Sequence, residues 1–179
     1  MNRWTAFTAA FAVTACAGFA VAQGTEEKPA QKTTEKAEKA VTLNVGDPAP
    51  ALSVEKWVKG DEITGFEKGR VYVVEFWATW CGPCIRSMPH LSEIQKEYKD
   101  KGLTVVGMTS EDSRGNTLDA VKKMVEAKGD KMGYTVAWDK GRETNKAYMQ
   151  AAGQGGIPCS FVVDQKGNIF ATAVNGVYV

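Results

Sequence analysis

Residues 71–84 read Val-Tyr-Val-Val-Glu-Phe-Trp-Ala-Thr-Trp-Cys-Gly-Pro-Cys. Positions 71–78 are nearly all apolar or aromatic, the pattern of a strand covered on both faces of a sheet. Beyond the second cysteine, Ile85, Met88, Leu91, Ile94 and Tyr98 recur at helical spacing. Cys81-Gly82-Pro83-Cys84 therefore falls where a central strand ends and a helix begins. The thiolate is the reactive form of cysteine, and the unpaired amides of a helix N-terminus favour negative charge. Cys81, at the exposed start of the helix, is the expected nucleophile. Cys84, one turn further in, is placed to attack a mixed disulfide and release its substrate. Pro83 stiffens the turn and, lacking an amide hydrogen, is tolerated in a first helical turn. Read as half of a structural zinc site, the same pair would need two further nitrogen or sulfur ligands. Outside residues 1–22, only His90 and Cys159 could supply them, and no second Cys-X-X-Cys exists, so no metal or other cofactor is expected.

Working outward, Leu103–Thr109 reads as a second central strand. A helix follows through Leu118, Val121, Val125 and Lys128, with Asn116 and Thr117 as capping candidates. Tyr134–Trp138 suggests another strand and Arg142–Ala152 a short helix. Ser160–Val163 and Ile169–Val174 are two final strands joined by a turn at Asp164-Gln165-Lys166-Gly167-Asn168. Upstream, strand-like runs lie at Leu52–Val58 and Glu62–Phe66, after a turn-rich Gly46-Asp47-Pro48-Ala49-Pro50. Strands alternating with helices and ending in a hairpin indicate an α/β sandwich with a mixed central sheet flanked by helices.

The N-terminal residues have a different character. Arg3 is followed by an uncharged, largely apolar run from Trp4 to Phe19 and by the small-x-small pattern Ala20-Val21-Ala22. That is the layout of an export signal peptide. Residues 4–22 could instead stay uncleaved as a membrane tether, and Val13-Thr14-Ala15-Cys16 loosely resembles a lipoprotein box. Either way, an exported, periplasmic or cell-envelope location is expected. Residues 23–44 mix Glu with Lys and contain few large apolar side chains, so they read as a disordered charged linker, leaving 45–179 as the domain. With 22 basic against 21 acidic residues, the chain carries no electrostatic footprint for nucleic acid.

Here the residues carry a family resemblance. VVEFWATWCGPC, with Pro89 five positions after Cys84, resembles the active-site strand and helix of thioredoxins. Gly156-Ile157-Pro158, before a strand and the Asp-Gln-Lys-Gly-Asn turn, resembles their second landmark, a loop with a cis-proline. Together with the Gly-Asp-Pro-Ala-Pro start and an extra strand and helix before that loop, the chain is most similar to the exported redoxin or TlpA-type branch of the thioredoxin-like superfamily. The resemblance implies a thioredoxin-like sandwich and a thiol–disulfide oxidoreductase without cofactor. It would act on a disulfide-bearing protein or small thiol and draw electrons from a membrane-side donor. It further implies that Pro158 is cis beside the dithiol, that the backbone of Ile157 pairs with an incoming peptide, and that Trp80, Gly82 and Pro83 shape the contact surface.

Glu75, six residues before Cys81, occupies the position where the family often holds a buried acid. Desolvation would raise its pKa and let it take the Cys84 proton. The alternative is an acid at an edge, paired with a lysine. Cys159 is expected to be a small buried hydrophobe, since strand alternation points it away from Pro158; the sharper reading is a third redox thiol. A closing helix, usual in the family, is missing after Val174: the chain ends Asn-Gly-Val-Tyr-Val, which predicts a partly uncovered sheet face. Two further functions stay open, a thiol peroxidase and a redox-inert peptide-binding module.

Overall fold

The computed structural model describes residues 42–178. The expected leader (1–22) and nearly all of the expected linker lie outside these residues. Leu43, counted with the linker, instead belongs to the domain: it is buried, and the amides of Thr42 and Leu43 both donate to the carbonyl of Ala151.

Among the described residues, seven strands form one mixed sheet in the order β1-β4-β3-β2-β5-β6-β7. They are β1 (Val54–Lys59), β2 (Val71–Phe76), β3 (Leu103–Thr109), β4 (Thr135–Asp139), β5 (Cys159–Val163), β6 (Ile169–Val174) and β7 (Val177–Tyr178). The centre is parallel: β2 pairs with β3 and β3 with β4. The remaining strands add antiparallel, β1 on β4 at one edge and the β5-β6-β7 meander at the other. Parallel neighbours need crossovers, and α1 (Gly82–Tyr98) and α2 (Leu118–Lys128) supply the two. Both pack on one face of the sheet, so alternation along β2 separates two cores. Val73 and Trp77 meet Cys84, Met88, Leu91, Val121 and Val125 on the helical face. Tyr72, Val74 and Phe76 face the other way, onto Leu43, Tyr148, Phe161 and Ile169.

Several expectations shift in detail. Glu62–Phe66 is not a strand. Gly60 turns the chain with φ +78° against Thr135, where a Cβ would meet the threonine hydroxyl at 2.5 Å, and Ile63 and Phe66 reach the core from an irregular segment. The expected helix over 142–152 is instead a 3-10 turn (Lys140–Arg142), one α turn, α3 (Glu143–Asn145), and a π turn (Lys146–Gln150). Arg142 at φ 63° precludes a helical start there, and the Asp139 carboxylate accepts the amides of Thr144 and Asn145 that a longer helix would have covered. In α1, Tyr98 faces solvent, 39% exposed, and Gln95 takes the buried position. Gln95 accepts the Val105 amide, just before the β3–β4 ladder begins, and donates to the Leu103 carbonyl. Asn175 and Gly176, both at positive φ, turn the chain after β6 into the short β7, so among the described residues a strand stands where the family's closing helix would be. Towards that edge of the sheet Val73, Val162, Ala171 and Ala173 are only half-buried.

Candidate active site

The chain leaves β2 at Phe76 and enters α1 six residues later. Three side chains hold the turn between them. Asn116, completely buried, accepts the Thr79 amide at 2.8 Å and donates to Thr109 Oγ1 and to the Ser110 carbonyl. Thr109 in turn donates to the Trp77 carbonyl at 2.8 Å. Asp112 accepts the Trp80 indole N–H at 2.7 Å through one oxygen and the amides of Arg114 and Asn116 through the other. Partial burial pushes Asp112 upward, but those donors and the Arg114 charge outweigh it and hold the carboxyl below its usual range. The Arg114 guanidinium lies 3.6 Å from the centre of the Trp80 ring. Of the two capping candidates, Thr117 caps α2, accepting the Ala120 amide, and Asn116 is instead the centre of this network. The only sequence signal for the network was a cluster of polar residues after a central strand, too common to read.

Cys81 occupies the N-cap of α1, and its sulfur accepts the Cys84 amide at 3.2 Å. The two cysteines form a disulfide with Cα atoms 5.2 Å apart. Neither is exposed in this oxidised form: Cys81 is 3% accessible and Cys84 1%. The expectation of an exposed Cys81 is corrected here, because Trp80 and Ile157 pack against the cluster that holds both cysteines. The Ile157–Pro158 bond is cis, and the Ile157 carbonyl oxygen lies 3.7 Å from Cys81 Sγ. Gly82 and Pro83 form the first residues of α1 between the two cysteines.

Glu75 is 4% exposed on the helical face of β2. It does not sit at an edge with a lysine. Its neighbours in register are Gly107 on β3 and Ser160 on β5. Gly107 contributes no side chain, and a Cβ there would lie 3.0 Å from both Trp77 Nε1 and Tyr134 Cε2. Ser160 Oγ donates to Glu75 Oε2, and no cationic side chain pairs with the carboxyl among the described residues. Burial raises its pKa to about 7, with the serine hydrogen bond acting in the opposite direction.

Cys159 starts β5 but points into the opposite core, in register with Phe76 and Val174, and is fully buried. Burial, and secondarily the Glu75 charge, push its thiol to about 12. His90 is at the surface, 3.8 Å from Glu93.

The Redoxin family model matches residues 44–178, which spans both the disulfide and the cis-proline loop. This chain belongs to the Redoxin family. Redoxin relatives include Protein FixW of Rhizobium leguminosarum, 30% identical over 73% of this chain and 60% of its own length. The thiol-disulfide oxidoreductase ResA of Bacillus thuringiensis is 35% identical over 57% of this chain and 53% of its own. The chain thus spans little more than half the length of these curated relatives. A thiol:disulfide interchange protein of the thioredoxin family from Chlorobium tepidum shares the fold with a TM-score of 0.60 and 31% identity. That match covers 72% of this chain and 85% of the other. This Redoxin therefore has the thioredoxin-like mixed sheet flanked by helices, with β4 and the α3–π segment inserted before the cis-proline loop.

Proposed function

We propose that the chain is a thiol–disulfide oxidoreductase that reduces disulfides of exported proteins through Cys81 and Cys84. The observation that carries this reading is the Cys81–Cys84 bond at the first turn of α1, with the Cys84 amide aimed at the Cys81 sulfur. In the reduced protein that amide would favour a Cys81 thiolate over the thiol. The thiolate attacks one sulfur of the substrate disulfide, forming a mixed disulfide and expelling the other substrate sulfur as thiolate. Cys84, losing its proton, then attacks Cys81 Sγ. The mixed disulfide breaks, the second substrate sulfur leaves as thiolate, and the Cys81–Cys84 bond forms. The substrate has gained two electrons, and an external dithiol donor on the membrane side must return them to the enzyme.

Glu75 is the proposed acceptor of the Cys84 proton. It lies on the sheet face that α1 covers, and a pKa near 7 suits it to both protonation states at neutral pH. Ile157 would offer its backbone to an extended substrate segment, while Trp80, Gly82, Pro83 and Pro158 frame the approach to Cys81. The apolar leader pattern of residues 1–22 supports export. The thiol–disulfide chemistry of ResA and of the Chlorobium tepidum protein supports the same chemistry here.

Insulin reduction driven by dithiothreitol tests the reading. The full chain should accelerate precipitation of the insulin B chain, and Cys81→Ser should abolish that acceleration. Undiminished activity in Cys81→Ser would refute it.

A further inference from the structure

A cavity of about 410 Å3 opens beside the dithiol, and disulfide exchange as such does not require it. Trp80, Ile157, the 110–114 loop, Arg142 and Asn145 are part of its wall, together with apolar side chains that include Phe76 and Met149. Ile157 belongs to both places, since its carbonyl oxygen lies 3.7 Å from Cys81 Sγ while the residue lines the cavity. A peptide joined to Cys81 and running along Ile157 therefore has a side chain next to its cysteine within reach of this space.

Four charged side chains face the cavity, and they are unequal. The two carboxylates are already occupied. Asp139, 2% exposed, accepts the Thr144 and Asn145 amides at 2.9 and 2.8 Å, one on each oxygen. Asp112 accepts three N–H groups, from Trp80, Arg114 and Asn116. The two guanidinium groups keep free N–H donors, although the Arg114 charge also acts on Asp112. Arg114 stacks on Trp80 and makes no hydrogen bond from its guanidinium within the described residues. Arg142 donates once, to Asn145 Oδ1 at 3.2 Å. A guanidinium offers five N–H donors in a planar fork that matches a carboxylate. The formal charges of the wall balance, but its carboxylates are turned to backbone and indole donors while its guanidinium groups have N–H donors to give.

We infer that this cavity is a charge-selective subsite that takes an acidic side chain adjacent to the substrate's disulfide cysteine. The inference rests on the oxidoreductase reading of the dithiol and specifies its substrate class: extended peptides with Asp or Glu beside the cysteine. Both arginines are solvent-facing, so the discrimination is that of rim charges, modest in size and sensitive to salt.

The test uses three synthetic peptide disulfides identical except for Glu, Gln or Lys next to one cysteine. The full chain, reduced and freed of reductant, is mixed with each, and single-turnover oxidation is followed by tryptophan fluorescence. The expected order is Glu, then Gln, then Lys, with Glu about threefold faster than Gln at low salt. The preference should shrink in high salt, fall in Arg142→Gln, and vanish in the Arg114→Gln, Arg142→Gln double variant. Both variants are checked for folding by circular dichroism. Equal rates for the three peptides, or a Glu preference that survives the double substitution, would overturn the subsite while leaving the exchange reaction standing. No exchange with any peptide would overturn the oxidoreductase reading, and the subsite with it.

Discussion

Replacing Glu75 with Gln is the perturbation whose outcome the structure constrains most closely. Glutamine keeps the shape and an oxygen for the Ser160 hydroxyl but cannot ionise. In the folded protein the carboxyl holds its proton up to about pH 7, against an ordinary value of 4.5. A folded-state pKa raised in this way favours the fold while the acid is protonated, and that contribution is lost as pH climbs from 4.5 through about 7. The gap corresponds to about 3 kcal/mol, at about 1.4 kcal/mol for each tenfold difference in proton affinity. Against a total stability of about 5–15 kcal/mol, this is large. Urea unfolding of the oxidised protein between pH 5 and pH 8 measures it. Wild-type stability should fall across that range relative to Glu75→Gln, so that the variant is the more stable of the two at pH 8. The same substitution should slow release of the mixed disulfide, because Cys84 loses its proton acceptor. Stability curves that run parallel for the two proteins would refute the reasoning, since they would mean that Glu75 titrates alike folded and unfolded.

Three further outcomes follow from the packing around the site. Asn116→Ala leaves the part-buried Thr79 amide and the buried Thr109 hydroxyl short of partners, which should cost about 2–4 kcal/mol in chemical unfolding and slow exchange by releasing the turn before Cys81; unchanged stability would contradict the network. Gly107→Ala places a Cβ 3.0 Å from Trp77 Nε1 and Tyr134 Cε2, and should lower the melting temperature by overpacking worth about 1–3 kcal/mol. Cys159 should stay unlabelled when the native reduced protein is treated with iodoacetamide and its peptides are mass-mapped, whereas rapid labelling would show that its thiol is neither buried nor held near 12.

The parts of this molecule that were legible in the sequence are those fixed by local pattern. The apolar run of β2, the helical spacing after Cys84 and the β5–β6 hairpin each signal themselves within a dozen residues, and the pairing of two short motifs indicated the family. What escaped depends on distant partners. Gln95 is buried because the Val105 amide lies before the start of β4 pairing, a fact of register between strands far apart in sequence. Asn116 is a core residue because three groups, from the turn after β2, the end of β3 and the residue that follows it, converge on it. Cys81 reads as exposed from its place at a helix start, yet the Ile157–Pro158 loop folds back over it. Tyr98 fits the apolar period of α1 but is exposed, and Gln95 is buried in its stead. The site's chemistry was therefore readable, and its walls were not: Arg114 and Arg142 come together with Trp80 only through the fold.

Trapping the mixed disulfide tests the central claim most directly. Reduced Cys84→Ser protein is mixed with a peptide disulfide, and the adduct is located by mass spectrometry. A stable bond from the peptide to Cys81, absent from Cys81→Ser protein and resolved at once when Cys84 is present, is the predicted result. An adduct on Cys159, or none at Cys81, would contradict the account.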